Sequence, residues 1–182
     1  TAHELGHKTT KLERRLATSV LAMGAYGHFA VDHNRGHHLD VATPDDCASS
    51  RMGETLYRFA RRELPGAFRR AWSIERKRLE RADQPEWSLH NEIVRAGLVT
   101  LTVSVLLVAA FGPILIPYLL ATYAIGAFHL TLANYIEHYG LLRRKRANGR
   151  YERTKPHHSW NSNHVFSNWA LYHLQRHSDH HA

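Results

Sequence analysis

The chain has 182 residues, enough for one ordinary domain built around a single core. Lys and Arg number 24 against 16 Asp and Glu, a formal net charge of +8, and 43% of residues are hydrophobic with 22% charged, a balance that excludes a disordered polyelectrolyte. Cys47 is the only cysteine, which excludes an intramolecular disulfide framework, a zinc ribbon and a thiolate-held iron–sulfur cluster, so any metal site draws on other ligands.

In chain order, helices are expected over 1–35, 51–64, 66–82, 91–112, 114–138 and 165–181. Loops are expected at 40–50, around Pro44, and at 145–163, around Gly149 and Pro156. Within the first helix, residues 16–31 are uncharged and include His28, giving a core helix or the lower part of a span. Residues 51–95 carry 11 Lys or Arg and residues 143–155 carry 7. Between these basic stretches, 96–136 form 41 consecutive residues without Asp, Glu, Lys or Arg. About 20 apolar residues cross a bilayer, and Gly112, Pro113 and Pro117 interrupt the run near its middle, so a transmembrane hairpin is expected at about 96–136. A buried helical pair in a soluble core is the alternative, but so long an uncharged run is rare there.

The basic flanks orient the hairpin with both ends on the cytoplasmic side, where they also rest against anionic lipid headgroups. Nucleic-acid binding is not expected, because the positive charge is concentrated beside the apolar hairpin and no nucleic-acid-binding motif is present. The expected fold class is all-α: a multi-helical integral membrane protein, one catalytic core over 1–182. The chain starts without Met and runs directly into His3, and it stops one residue after His181, as expected of a fragment.

Sixteen histidines demand an explanation. His3 and His7, in His-Glu-Leu-Gly-His, stand at i and i+4, one face of a helix. Asp32-His33-Asn34-Arg35-Gly36-His37-His38 repeats that pair and adds a third imidazole. His177-Ser178-Asp179-His180-His181 offers i, i+3 and i+4. Neutral imidazoles suit iron, zinc or copper, and eight clustered histidines exceed the positions of one ion, so two metal ions are expected. His3-Glu4-x-x-His7 alone also matches the helix of zinc metalloproteases, with Glu4 as general base, but that reading uses one box and leaves the other six histidines without a role.

The three boxes, with Asn134-Tyr135-Ile136-Glu137-His138-Tyr139-Gly140, resemble the membrane alkane monooxygenase (alkane hydroxylase) family, and the resemblance covers nearly the whole chain. Val41-Ala42-Thr43-Pro44 and Asn161-Ser162-Asn163-His164 are similar to that family as well. Membrane desaturases and the sterol and fatty-acid hydroxylases share the three-box plan, whereas the Asn134 to Gly140 motif is particular to alkane hydroxylases.

The resemblance implies a non-haem di-iron enzyme of the bacterial inner membrane, its histidine-rich site at the cytoplasmic ends of the helices. Such enzymes use O₂ and electrons from rubredoxin to hydroxylate the terminal methyl of an alkane. It implies as metal ligands His3, His7, His33, His37, His38, His138, His177, His180 and His181, with His138 supplied by the family motif alone. It also implies further membrane helices ahead of the first box. One departure is visible: Asp32 stands where the family usually shows Glu. A related membrane di-iron desaturase or hydroxylase is the neighbouring alternative, and a non-catalytic membrane anchor that stores metal is the remaining one.

Cleaving an unactivated C–H bond lies beyond amino-acid side chains, so a metal must supply that chemistry while the protein holds and insulates it. Glu4, Asp32, Glu137 and Asp179 adjoin proposed ligands and are expected to accept an imidazole N–H, with helix-surface charge as the alternative; Asn134, Asn161 and Asn163 are further candidates. His173 and His164 are expected to support ligands rather than bind metal. His157 and His158 are expected at the surface of a loop, and His129 as a neutral imidazole within the second span. Arg61, Arg62, Arg69, Arg70 and the basic run at 143–146 would suit an acidic redox partner or serve membrane orientation.

Overall fold

A computed structural model describes residues 10–170 and 175–178 of the chain. Helices dominate: α1 (Lys11–Met23), α2 (Phe29–Asp32), a π-helical turn (His33–His37), α3 (His38–Asp40), α4 (Leu56–Arg81), α5 (Glu92–Phe111), α6 (Leu115–Glu137), a 3₁₀ turn (Pro156–His158) and α7 (Val165–Ala170). Among the described residues the one extended pairing is an isolated bridge between Lys145 and Tyr151. The chain divides into two compact units, one holding residues up to Gly36 together with Gly66–His129, the other His37–Pro65 together with residues from Leu130 onward.

In the first unit, Thr10 caps α1 by accepting the Glu13 N–H at 3.3 Å, while its hydroxyl donates to the Glu13 carboxylate at 2.5 Å. The helix expected to continue to residue 35 stops at Met23, and Ala25 turns the chain with φ +56°. The reason is packing. Thr100 of α5 donates to the Ala22 carbonyl at 2.5 Å, and a Cβ placed on Gly27 would collide with that of Ala96. The chain therefore bends where α5 packs against it. Val31, Ala71 and Ile93 form a buried apolar cluster with Trp72 and Ile74 packed on it.

Around that cluster the charges are paired. Asp32 accepts both Arg70 Nε at 2.6 Å and Nη2 at 2.9 Å. Glu75, fully buried, receives Arg78, Arg35 and the backbone N–H of Glu92 at the start of α5. Asn91 caps α5 through the N–H groups of Ile93 and Val94.

α5 and α6 are each long and apolar enough to cross a membrane, and little of either is buried. Leu101, Leu106, Leu120 and Ile125 are 56–63% exposed. Apolar surface left in water costs about 25 cal/mol per Å², so a surface of this kind belongs in lipid. Ser104 Oγ meets Tyr123 Oη at 2.8 Å within the pair, satisfying two polar groups where no water is available.

α4 corrects the expected break at residue 65. Pro65 lies inside a continuous 26-residue helix, and the division between the two units falls at that point. Pro removes one ladder bond at a cost of about 3 kcal/mol. Side chains fixed on either side of it, Glu63 before and Arg70 and Glu75 after, hold the helix despite that loss.

The second unit joins the 37–55 segment, the first turns of α4, the last turns of α6 and the chain from His138. Tyr135 Oη donates to the Glu54 carbonyl at 2.6 Å, Ser50 Oγ to the Tyr135 carbonyl at 2.7 Å, and Gly140 N–H to the Ser50 carbonyl at 3.0 Å. Gly140 has φ +69°, and a Cβ there would meet Met52, so the turn that ends α6 requires glycine. Trp160 N–H donates to the Glu137 carbonyl at 2.8 Å, and its indole N–H donates to the Tyr139 carbonyl at 2.9 Å.

Candidate metal centre

Three of the expected histidines meet in the second unit. His37 closes the π turn, His138 is the first residue after α6, and His177 lies in the last described segment. One nitrogen from each lies within 4.8 Å of the others, and all three side chains are buried. Nε2 of His138 and Nε2 of His177 stand 3.1 Å apart. The His37 and His138 rings are 4.8 Å apart, centre to centre, and lie edge to face.

The donor set fits a metal ion. Two imidazole nitrogens bound to one ion at about 2.0–2.1 Å and neighbouring angles stand roughly 2.9–3.4 Å apart, which brackets the His138–His177 separation. Burial pushes the His138 imidazole down to about 3, so it is neutral and keeps a lone pair to give. The two flanking rings are each approached by a carboxylate. Asp46 Oδ2 lies 2.9 Å from His37 Nδ1, and Glu137 Oε2 lies 3.3 Å from His177 Nδ1. The Asp46 carboxylate hydrogen-bonded at His37 Nδ1 leaves the Nε2 lone pair of that ring directed at the cluster.

The other site expectations fall in several places. His3, Glu4, His7, His173, Asp179, His180 and His181 lie outside the described residues. His33 is buried in the first unit, stacked on Phe29 at 4.8 Å. The second box is a π turn with i→i+5 bonding, not the α-helical i, i+4 face expected from the spacing, and such turns recur at functional sites. His38 is half-buried, its ring edge-on to His37 at 6.1 Å. Asp32 is held in a two-point ion pair by Arg70. Asn134 donates to Glu63 Oε1 at 3.1 Å, beside the Thr131 hydroxyl that donates to Glu63 Oε2 at 2.7 Å. Asn161 accepts the Ser178 N–H at 2.8 Å and so fastens the residue next to His177. His164 is exposed at the start of α7, its carbonyl accepting from Asn168. His129 is exposed on α6.

His158 corrects the expectation of surface placement. It is 2% exposed, whereas His157 beside it is exposed. With Glu152 they form a second group of possible ligands. Its wiring is different, however. Nδ1 of His158 accepts the Lys155 N–H at 2.9 Å, so the ring hydrogen sits on Nε2, 3.5 Å from Glu152 Oε1. The nitrogen that would bind metal thus carries a hydrogen, and Lys155 Nζ lies 3.5 Å from the same carboxylate. This group is an ion-pair network that closes the 143–158 segment.

Asp46 and Glu63 escaped the sequence reading because neither adjoins a histidine. A search for carboxylates within ten residues of each box would have found Asp46, nine after His37; nothing local marks Glu63.

Three buried imidazoles at the end of an apolar helix, each flanking ring backed by a carboxylate, define a membrane protein with a histidine-rich metal centre. The chain belongs to the fatty acid desaturase family, whose sequence profile matches residues 1–182. It is 59% identical over all 182 residues to an alkane 1-monooxygenase of Pseudomonas putida and 47% identical to one of Acinetobacter baylyi, spanning 45% of the length of each. Over 165 residues, 88% of this chain and 42% of the relative, it is 32% identical to the hydroxylase component of the xylene/toluene monooxygenase of Pseudomonas putida.

Proposed function

We propose that this chain is the histidine-bearing part of a membrane non-haem di-iron monooxygenase that hydroxylates the terminal methyl of an alkane, using O₂ and electrons from rubredoxin. The observation that carries the reading is the buried His37–His138–His177 cluster directly after an apolar span, in a chain whose whole length matches alkane 1-monooxygenases at up to 59% identity. The protein acts as one catalytic core in the bacterial inner membrane, its centre facing the cytoplasm. The ligand set is His3, His7, His33, His37, His38, His138, His177, His180 and His181, shared between two irons.

When bound, iron supplies the O₂ activation that no side chain provides. The residues of this chain do the rest. His37, His138 and His177 present nitrogens from a buried cluster, and that burial keeps bulk water away. Glu137, Asp46 and their partners hold the ring orientations. The apolar surfaces of α5 and α6 lie in the phase where an alkane dissolves. Basic residues such as Arg61, Arg69 and Arg144 offer an acidic electron donor an attractive surface.

A fatty-acyl desaturase is the second reading, favoured by the family description itself. Product analysis separates them: the full-length parent should convert an alkane to its 1-alkanol, and an alkene from an acyl chain would replace the hydroxylase reading. Metal analysis of the detergent-purified full-length parent should give about two irons per chain, reduced in His138→Ala and His180→Ala. One zinc, unchanged in both, would return the first box to the protease alternative. Turnover that falls at high salt but persists with an artificial donor supports docking of rubredoxin on the basic surface; salt-insensitive turnover defeats it.

A further inference from the structure

Asp46 lies in the irregular segment after α3 and is 1% exposed. A buried carboxylate without positive or hydrogen-bonding partners is costly, yet this one is fully engaged. Oδ2 accepts the Ser49 hydroxyl at 2.6 Å and faces His37 Nδ1 at 2.9 Å, while Oδ1 accepts the Ala48 N–H at 3.1 Å. Ser49 Oγ in turn accepts the Ala42 N–H at 2.8 Å, so the carboxylate is fixed from both sides of the loop.

The loop itself is clamped from outside. Arg62 of α4 donates to the Cys47 carbonyl at 2.9 Å, to the Ser49 carbonyl at 3.1 Å and to the Glu54 carboxylate at 2.9 Å. One guanidinium thereby fixes the backbone on both sides of Ala48, at the stretch from which Asp46 reaches His37. An ionised carboxylate only accepts hydrogen bonds, so the hydrogen of a neutral His37 must sit on Nδ1 and its lone pair on Nε2.

We infer that Asp46 is a positioning residue that selects the Nδ1–H tautomer of His37, and that the Ser49–Arg62 clamp exists to hold it there. The inference rests on the metal-centre reading above, because a fixed Nε2 lone pair serves a ligand. It assigns to a residue outside the histidine boxes the task of presenting one ligand of the centre.

The test uses the full-length protein with ¹⁵N-labelled histidine, His37 being assigned by loss of its signal in His37→Gln. In the metal-free wild type, His37 should show hydrogen on Nδ1. Asp46→Asn keeps a carbonyl for the Ala48 N–H but replaces the oxygen facing His37 with an NH₂ donor, and should move the hydrogen to Nε2, with iron affinity falling about 10–100-fold and the helical spectrum retained. Asp46→Glu should restore the wild-type tautomer and most of the affinity. Should Asp46→Asn fail to fold, Ser49→Ala decides: it should shift the tautomer population and weaken iron binding several-fold. An unchanged tautomer and unchanged affinity in whichever variant folds would overturn the inference. A wild type that binds no iron would sink the metal-centre reading, while the tautomer measurement in the metal-free protein still decides whether Asp46 orients His37.

Discussion

Glu137 Oε2 lies 3.3 Å from Nδ1 of His177, 40 positions further along the chain, and the carbonyl of the same Glu137 accepts the N–H of Trp160 at 2.8 Å. The last residue of an apolar helix therefore uses its side chain on one histidine of the cluster and its backbone on the strap that brings the chain back. His138, its neighbour, supplies a second ring. The helix end is the point around which the centre is organised.

Replacing Glu137 should consequently act on the metal before it acts on the fold. Glu137→Gln keeps the volume and replaces the carboxyl with an amide, and iron affinity should fall about tenfold; Glu137→Ala should lower it further, towards the 100-fold limit of such partners. Iron per chain, read beside the helical spectrum of each variant, checks this.

Glu63 should instead be a stability residue. It is 1% exposed and receives the Thr131 hydroxyl and the Asn134 amide. Glu63→Ala strands both donors and should cost roughly 1–3 kcal/mol for each group left unsatisfied. Thermal unfolding of the full-length protein in detergent should show the loss, with a smaller one for Glu63→Gln.

Gly27 should tolerate no side chain unless α5 gives way. Gly27→Ala brings its methyl onto that of Ala96 and should destabilise by about 1–3 kcal/mol. Ala96→Gly in the same molecule should recover most of it, and a double-mutant cycle of unfolding midpoints measures the coupling.

Acid should destabilise the protein in two separable stages. Burial pushes His28 down to about 4 from its ordinary 6.5, so the unfolded chain takes up a proton that the folded ring refuses. The resulting penalty is absent above pH 6.5 and grows as the pH falls towards 4, to on the order of 3 kcal/mol in all. His28→Phe should flatten this upper stage. Glu75 acts lower: burial raises its carboxyl, but Arg78, the Glu92 N–H and Arg35 outweigh that and hold it below the ordinary carboxylate range. Its contribution is present above pH 4.5 and is lost as the pH falls through the depressed value. Glu54 behaves likewise, held down first by its hydrogen bond from Arg62. Unfolding followed between pH 7 and 3 in wild type and His28→Phe distinguishes the stages.

The features legible in the sequence are those written in local order. A long uncharged run announces its own helices, because apolar surface has one stable environment whatever the neighbours do. Histidine boxes declare a metal centre, because imidazoles at such density have few other uses, and the Asn134 to Gly140 motif placed His138 at a helix end, where it stands. Long-range pairing was not written in that way. The turn at Gly27, the passage of α4 through Pro65, the burial of His158 and the approach of Asp46 to His37 each depend on contacts that no local pattern announces: Gly27 with Ala96, Glu63 with Thr131 and Arg70 with Asp32, His158 with Glu152, and the Asp46 loop with Arg62. No periodicity encodes such a meeting. A proline's lost hydrogen bond or a carboxylate's desolvation is a local cost visible in the residue itself, but the contacts that offset it exist only once the chain has closed its loops, and it is those contacts that turn a set of histidines into a centre with fixed donors.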